Sequence, residues 1–135
     1  TDLRLPYTIR EEVPEDPLFG AAGERVRVLD LAPAVRAIAE ALVAGRLRQE
    51  IALAFHRLLP EALTAMAAII REETGLNRAA LSGGCFQNRL LIAGCLDALR
   101  GADFETFSHR IVPPNDGCIS LGQAVAAGAM AEGNM

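Results

Sequence analysis

The chain has no tryptophan and one tyrosine, and Ala and Leu dominate a composition that is half hydrophobic. That balance suits an Ala-packed helical or α/β domain, and 135 residues suffice for one core. Long apolar runs are missing too. Ala65–Ile70 is short and Arg71 follows it, so no bilayer-spanning segment and no membrane partner are expected. No charged-then-apolar leader opens the chain, and a cytoplasmic location is expected by default. The net charge is −4, and no Lys/Arg stripe with interleaved aromatics appears; Arg46 and Arg48 lie close together, but Glu50 follows. A nucleic-acid partner is therefore not expected. The three cysteines, Cys85, Cys95 and Cys118, form no CxxC pair, which argues against a disulfide framework or structural zinc and for reduced, mostly buried thiols. His56 and His109 have no partner at metal-ligand spacing, and neither GxGxxG nor the lysine-bearing Walker pattern occurs. The chain begins at Thr1, and residues 2–17 read as the tail of something, so a fragment of a longer polypeptide is expected.

What is present is an alternation of short strands and helices. Residues 1–24 are rich in Pro, Gly and acids, and Pro6, Pro14 and Pro17 forbid a long regular element there. Leu5–Arg10 and Val26–Leu29 read as short strands. Asp30 and Pro33 open a helix that Gly45 closes, with Val35, Ile38, Ala39, Leu42 and Val43 as its buried stripe. A long helical segment runs from Leu47 to Thr74, its apolar face set by Ile51, Ala54, Phe55, Leu58 and Leu59 and continued by Leu63, Met66, Ala67 and Ile70. Pro60 is expected to kink or split it, and Gly75 to end it. Next come a strand at Asn77–Ser82 buried on both sides and a helix at Asn88–Leu99 with Leu91, Ile92, Cys95, Leu96 and Leu99 inward. A strand at Phe104–Phe107 and a small-residue helix at Gly117–Ala131 follow. This order is α/β, with at least two parallel strands. It divides into an extended or hairpin segment (1–30), a helical segment (31–75) and strand–helix units (76–135).

Two stretches carry the chemistry. Leu81-Ser82-Gly83-Gly84-Cys85-Phe86-Gln87-Asn88 and Val112-Pro113-Pro114-Asn115-Asp116-Gly117-Cys118 each read as a strand end, a glycine turn and a helix start. Two such turns about 30 residues apart suggest two walls of one nucleotide site. Gly83 and Gly84 leave room for a phosphate to approach the backbone, and the following helix start adds unpaired N–H groups. Gln87 and Asn88 carry amides that can donate to a phosphate or sugar oxygen. In the second turn two prolines hold the loop extended before Asp116, which suits either an N-cap or a carboxylate ligand to a hard divalent cation. His56, beside Phe55, reads as a hydrogen-bonded residue at a core edge. His109 and Arg110 read either as a solvated pair or as an anion contact. A Cys–His nucleophile from Cys85 or Cys118 has no third group to orient it, and no catalytic residue is assigned.

SGGCFQNRLL followed by HRIVPPNDGCISLGQA resembles the C-terminal end of the hydrogenase-maturation carbamoyltransferase family, HypF, as do Ile51–His56 and the Leu5–Arg10 region. The resemblance implies a helix-rich C-terminal lobe of an actin/hexokinase-like (ribonuclease H-like) nucleotide-binding superfold, within a threonylcarbamoyl-transferase-like domain. It implies an enzyme that makes carbamoyl adenylate from ATP and carbamoyl phosphate. The carbamoyl group then passes to the C-terminal cysteine of a HypE-type acceptor, for the cyanide ligand of [NiFe]-hydrogenase. On that resemblance Gly83, Gly84 and Asn88 match the nucleotide-contacting turn and Asp116 a metal ligand, and the lobe's partners include the rest of its own polypeptide. Cys85 stands where the family usually has an aliphatic residue and Cys118 where it usually has Gly. The family's upstream histidine pair is not in these residues, so this chain alone is expected to hold metal poorly, bind ATP weakly and transfer nothing. The alternatives are a tRNA threonylcarbamoyl-transferase-like lobe and a non-catalytic interaction module of the same fold.

Overall fold

A computed structural model describes residues 1–14, 18, 23 and 25–133; Pro17 and part of the 1–30 segment lie outside the described residues. The elements run β1 (Thr8–Glu12), β2 (Val26–Asp30), α1 (Ala32–Val43), α2 (Arg48–Thr74), β3 (Arg78–Leu81), α3 (Arg89–Gly101), β4 (Glu105–Ser108) and α4 (Ile119–Ala131). Short 3-10 turns at Gly84–Gln87 and Asp116–Cys118 precede α3 and α4. The expected order of elements is the observed one. The chain divides into two units, Thr1–Leu76 and Asn77–Met135.

In the first unit β1 and β2 pair antiparallel, Thr8 opposite Asp30 and Glu12 opposite Val26. The first strand lies later than Leu5–Arg10. Pro6 has no N–H to give a ladder, and Leu5 instead enters the core with Ala34, Ala54 and Leu58. Arg27 of β2 ties the sheet to α2, lying 2.8 Å from Glu11 and donating through Nε to Glu73 at 2.9 Å.

Helix α1 starts where Asp30 Oδ1 accepts the Ala32 N–H at 2.8 Å, with Pro33 in the first turn. Gly45, at φ 74°, closes it. Of the expected α1 stripe Ile38 alone packs against the core. Ala34 and Ala41 are buried, with Ala37 and Ile38 beside them, whereas Val35, Leu42 and Val43 are exposed, Val43 to 91%, and Ala39 is exposed too. The small residues face inward because they allow close packing against α2.

Helix α2 runs 27 residues without splitting at Pro60. A proline inside a helix costs about 3 kcal/mol. Here Pro60 is itself buried, as are Leu58 and Ala62, and burial of this stretch works against that cost. Ile51, Ala54 and Leu58 form the expected face; further on Ala62 is fully buried while Leu63 and Ile70 are exposed. Gly75, left-handed at φ 75°, ends the helix. By length and composition α2 does reach what a membrane crossing needs, contrary to expectation. Its Ala54 and Leu58, with Leu5 and Ala34, make the core of this unit.

In the second unit β3 and β4 run parallel, Arg78 opposite Glu105 through Leu81 opposite Ser108. The expectation that β3 is buried on both sides fails. Arg78 and Ala80 are exposed, because among the described residues the sheet has two strands and only the face of Ala79 and Leu81 is half-covered. Leu91, Cys95 and Leu99 of α3 are buried, as is Phe104. The Cys95 thiol, 1% exposed, is pushed up by burial. Of the other thiols, Cys85 is exposed and Cys118 half-buried, so the expected burial holds for Cys95 alone. Helix α4 is almost wholly apolar yet has no buried residue. A side chain at Gly122 would meet nothing within 4 Å, so nothing described here makes the close approach its small residues allow.

Candidate functional site

The two turns meet. Parallel pairing brings the C-terminal ends of β3 and β4 side by side, the edge at which open α/β sheets receive ligands. Just past β3, the Gly83 N–H donates to Pro114 O at 2.7 Å, joining the first turn to the second. Gly83 has φ 106° and ψ 155°, a region essentially closed to residues with a Cβ, and the space beside it is open. Gly84 opens the 3-10 turn, also with open space around it.

Several of the amides around this turn are accounted for within the chain. The Gly83 N–H is committed to Pro114, and the first turn of α3 is capped by Asn88, whose Oδ1 accepts the Leu90 and Leu91 N–H groups at 3.0 and 3.3 Å. A phosphate therefore does not find the open helix start that the sequence suggests. The Gly84 and Cys85 amides begin a 3-10 turn and have no intrahelical acceptor.

In the second turn the cap falls one residue before the expected one. Asn115 Oδ1 accepts the Gly117 N–H at 3.0 Å, and a Cβ on Gly117 would stand 3.1 Å from that oxygen. The Cys118 thiol donates to Asn115 O at 3.3 Å. Asp116 is exposed and is not the N-cap, so its carboxylate is released from the structural duty that competed with ligand binding. Among the described residues no group of three His, Cys, Asp or Glu side chains is placed to hold a metal.

The sequence left His109 open, and the structure pairs it: its Nε2 lies 2.8 Å from Ser82 Oγ. Ser82 was not singled out from the sequence. The signal for it is the 27-residue offset of the ladder, which makes Ser82 and His109 the next partners after Leu81 and Ser108. His56, as expected, sits half-buried at an edge. Its Nδ1–H donates to Ala52 O at 2.8 Å, and its ring stands edge-on to Phe55.

A parallel β–α–β unit whose strand ends carry two hydrogen-bonded glycine turns places this segment in the class of α/β domains that build their sites at that edge. The comparisons make the class specific. The family described as "Carbamoyltransferase, Kae1-like Domain, second subdomain" matches residues 3–123. The chain belongs to this carbamoyltransferase family, whose curated members here carry the name HypF. It is 35% identical over 122 residues to carbamoyltransferase HypF of Rhodobacter capsulatus, covering 90% of this chain and 15% of that protein. To the Synechocystis sp. HypF it is 41% identical over 76 residues, 56% of this chain and 9% of that one. A crystal structure of full-length HypF in the phosphate- and nucleotide-bound form superposes with a TM-score of 0.84 at 35% identity, over 98% of this chain and 16% of that one. The chain thus spans between 9% and 15% of these curated relatives' length.

Proposed function

We propose that this chain is the second nucleotide-site subdomain of a longer HypF-type carbamoyltransferase. That enzyme uses ATP and carbamoyl phosphate to form carbamoyl adenylate and passes the carbamoyl group to the C-terminal cysteine of a HypE-type acceptor, for hydrogenase maturation. The observation that carries the reading is the Gly83–Pro114 hydrogen bond, which makes one surface of the two turns. The nucleotide-bound form of the matching full-length relative supports it. In this reading Gly83 and Gly84 admit the phosphates, and Asn88 anchors the turn beneath them through its cap. Asp116 supplies one ligand to a divalent cation. One carboxylate does not make a hard-cation site, which takes six or more oxygen ligands. The other ligands must come from outside the described residues, and no catalytic residue is assigned to this chain. A helix such as α4, apolar and unburied, is what a segment packed against the rest of its own polypeptide presents. A cytoplasmic setting, with no nucleic acid or membrane as partner, completes the proposal and accords with three free cysteines.

The test is Asp116→Ala in the native polypeptide that contains this chain. Carbamoyl transfer to the acceptor is expected to be lost while carbamoyl-phosphate hydrolysis persists. Transfer at the unsubstituted rate removes Asp116 from the site.

A further inference from the structure

The exposed face of β3 and β4 is a ladder of three side-chain pairs in register. Arg78 donates through Nε to Glu105 at 2.8 Å, Ala80 lies opposite the half-exposed Phe107, and Ser82 meets His109 at 2.8 Å. The first pair is an exposed ion pair of little energetic weight. The last pair is different in kind, because it stands at the strand ends directly before Gly83, and both of its members can donate or accept. Neither residue is needed to satisfy a buried group, since Ser82 is exposed and His109 only half-buried.

We infer that Ser82 contacts a nucleotide phosphate and that His109 is the positioning residue that turns the Ser82 hydroxyl toward it. This rests on the nucleotide reading above. A serine hydroxyl has one proton. If Ser82 donates it to Nε2, the hydroxyl shows a phosphate only lone pairs, which an anion avoids. If the neutral ring carries its proton on Nε2, the ring donates to Oγ and the hydroxyl proton is free to point at the phosphate. The exchange is between two tautomers of one neutral imidazole, so it needs no change of net charge. A phosphate beside Ser82 selects the second arrangement, and the 2.8 Å bond makes the two residues act as one donor.

The test uses the native polypeptide containing this chain and measures equilibrium affinity for ATP with magnesium, and separately for adenosine, which has no phosphate. The variants are Ser82→Ala, His109→Ala, their combination, the conservative Ser82→Thr and His109→Gln, and Gly83→Val as a check on the nucleotide site itself. A hydrogen bond to a charged oxygen predicts that each alanine variant weakens ATP roughly tenfold. The combination should be no worse than the weaker single variant, and adenosine affinity should not move. Thr keeps the hydroxyl and Gln an N–H donor, so both should restore ATP binding. Unchanged ATP affinity in Ser82→Ala, with Gly83→Val strongly impaired, overturns this inference and leaves the nucleotide reading standing. Equal losses for ATP and adenosine also overturn it, because they mark a merely structural pair. An unimpaired Gly83→Val overturns both readings.

Discussion

The segments before and after Leu76 use similar Ala- and Leu-rich helices but bury them differently. In the first, α1 and α2 turn Ala34, Ala54, Leu58 and Ala62 out of water, and Arg27 links both strands to α2 through Glu11 and Glu73. In the second, α3 is buried at every turn through Leu91, Cys95 and Leu99, while α4 buries nothing and leaves Leu121, Val125 and Met130 at least half exposed. The polar interactions differ likewise. In the first segment the side-chain contacts between elements are mainly surface ion pairs, such as Arg27 with Glu11 and Glu73. The second has such a pair in Arg78–Glu105, and its other polar contacts include a group just past β3 and β4, where Gly83–Pro114, Ser82–His109 and the caps by Asn88 and Asn115 fix two loops. The first segment is thus organised by its packed core, and the second also orders a loop surface that its own core does not require.

That contrast can be broken by substitution. The largest stability effect belongs in the first core: Leu58→Ala should cost about 2–5 kcal/mol in denaturant unfolding of the native polypeptide, leaving the ATP affinity of the folded fraction unchanged. In the second core, Cys95→Ser buries a hydroxyl at a 1% exposed position in place of an apolar thiol and should cost about 1–3 kcal/mol by the same measurement. Asn88→Ala removes the α3 cap and should cost about 1 kcal/mol, with Asn88→Asp recovering most of it. An affinity loss for ATP in Asn88→Ala larger than its stability loss would show that Asn88 does more than cap. The smallest effect is Glu11→Gln. The Arg25 guanidinium bonded to Glu11 holds its carboxyl below the ordinary 4.5, with the Arg27 charge adding to this. A carboxyl lowered in the native state stabilises it above the ordinary value, and that contribution disappears as the pH falls through the lowered native value. The unfolding midpoints of wild type and Glu11→Gln should therefore differ near neutrality and converge in acid.

Helix α3 was legible because Leu91, Cys95 and Leu99 repeat every four residues after a capping Asn88. The buried face of α1 was not. In an Ala-rich helix two overlapping stripes both satisfy the period, and weighing residues by size selects Val35 and Leu42, whereas close helix packing selected Ala34 and Ala41. The two glycine turns could be placed from the sequence, and their spacing suggested two walls of one site; the Gly83–Pro114 bond that joins them was not legible, because it depends on the parallel register. The same register hid Ser82 and His109, which are 27 residues apart and adjacent only once the ladder is known. Asp116 was legible as a residue but ambiguous in role; Asn115 takes the cap, and the ligand role is left to the Asp116→Ala test.

The central claim is that the joined turns receive nucleotide phosphates. It is tested most directly by calorimetric titration of ATP with magnesium into the native polypeptide and its Gly83→Val variant. At φ 106° a branched side chain both strains the turn and fills the open space beside it. A loss of more than roughly tenfold in ATP affinity, with the unfolding transition retained, is the predicted result. Equal affinity in the two proteins would contradict it.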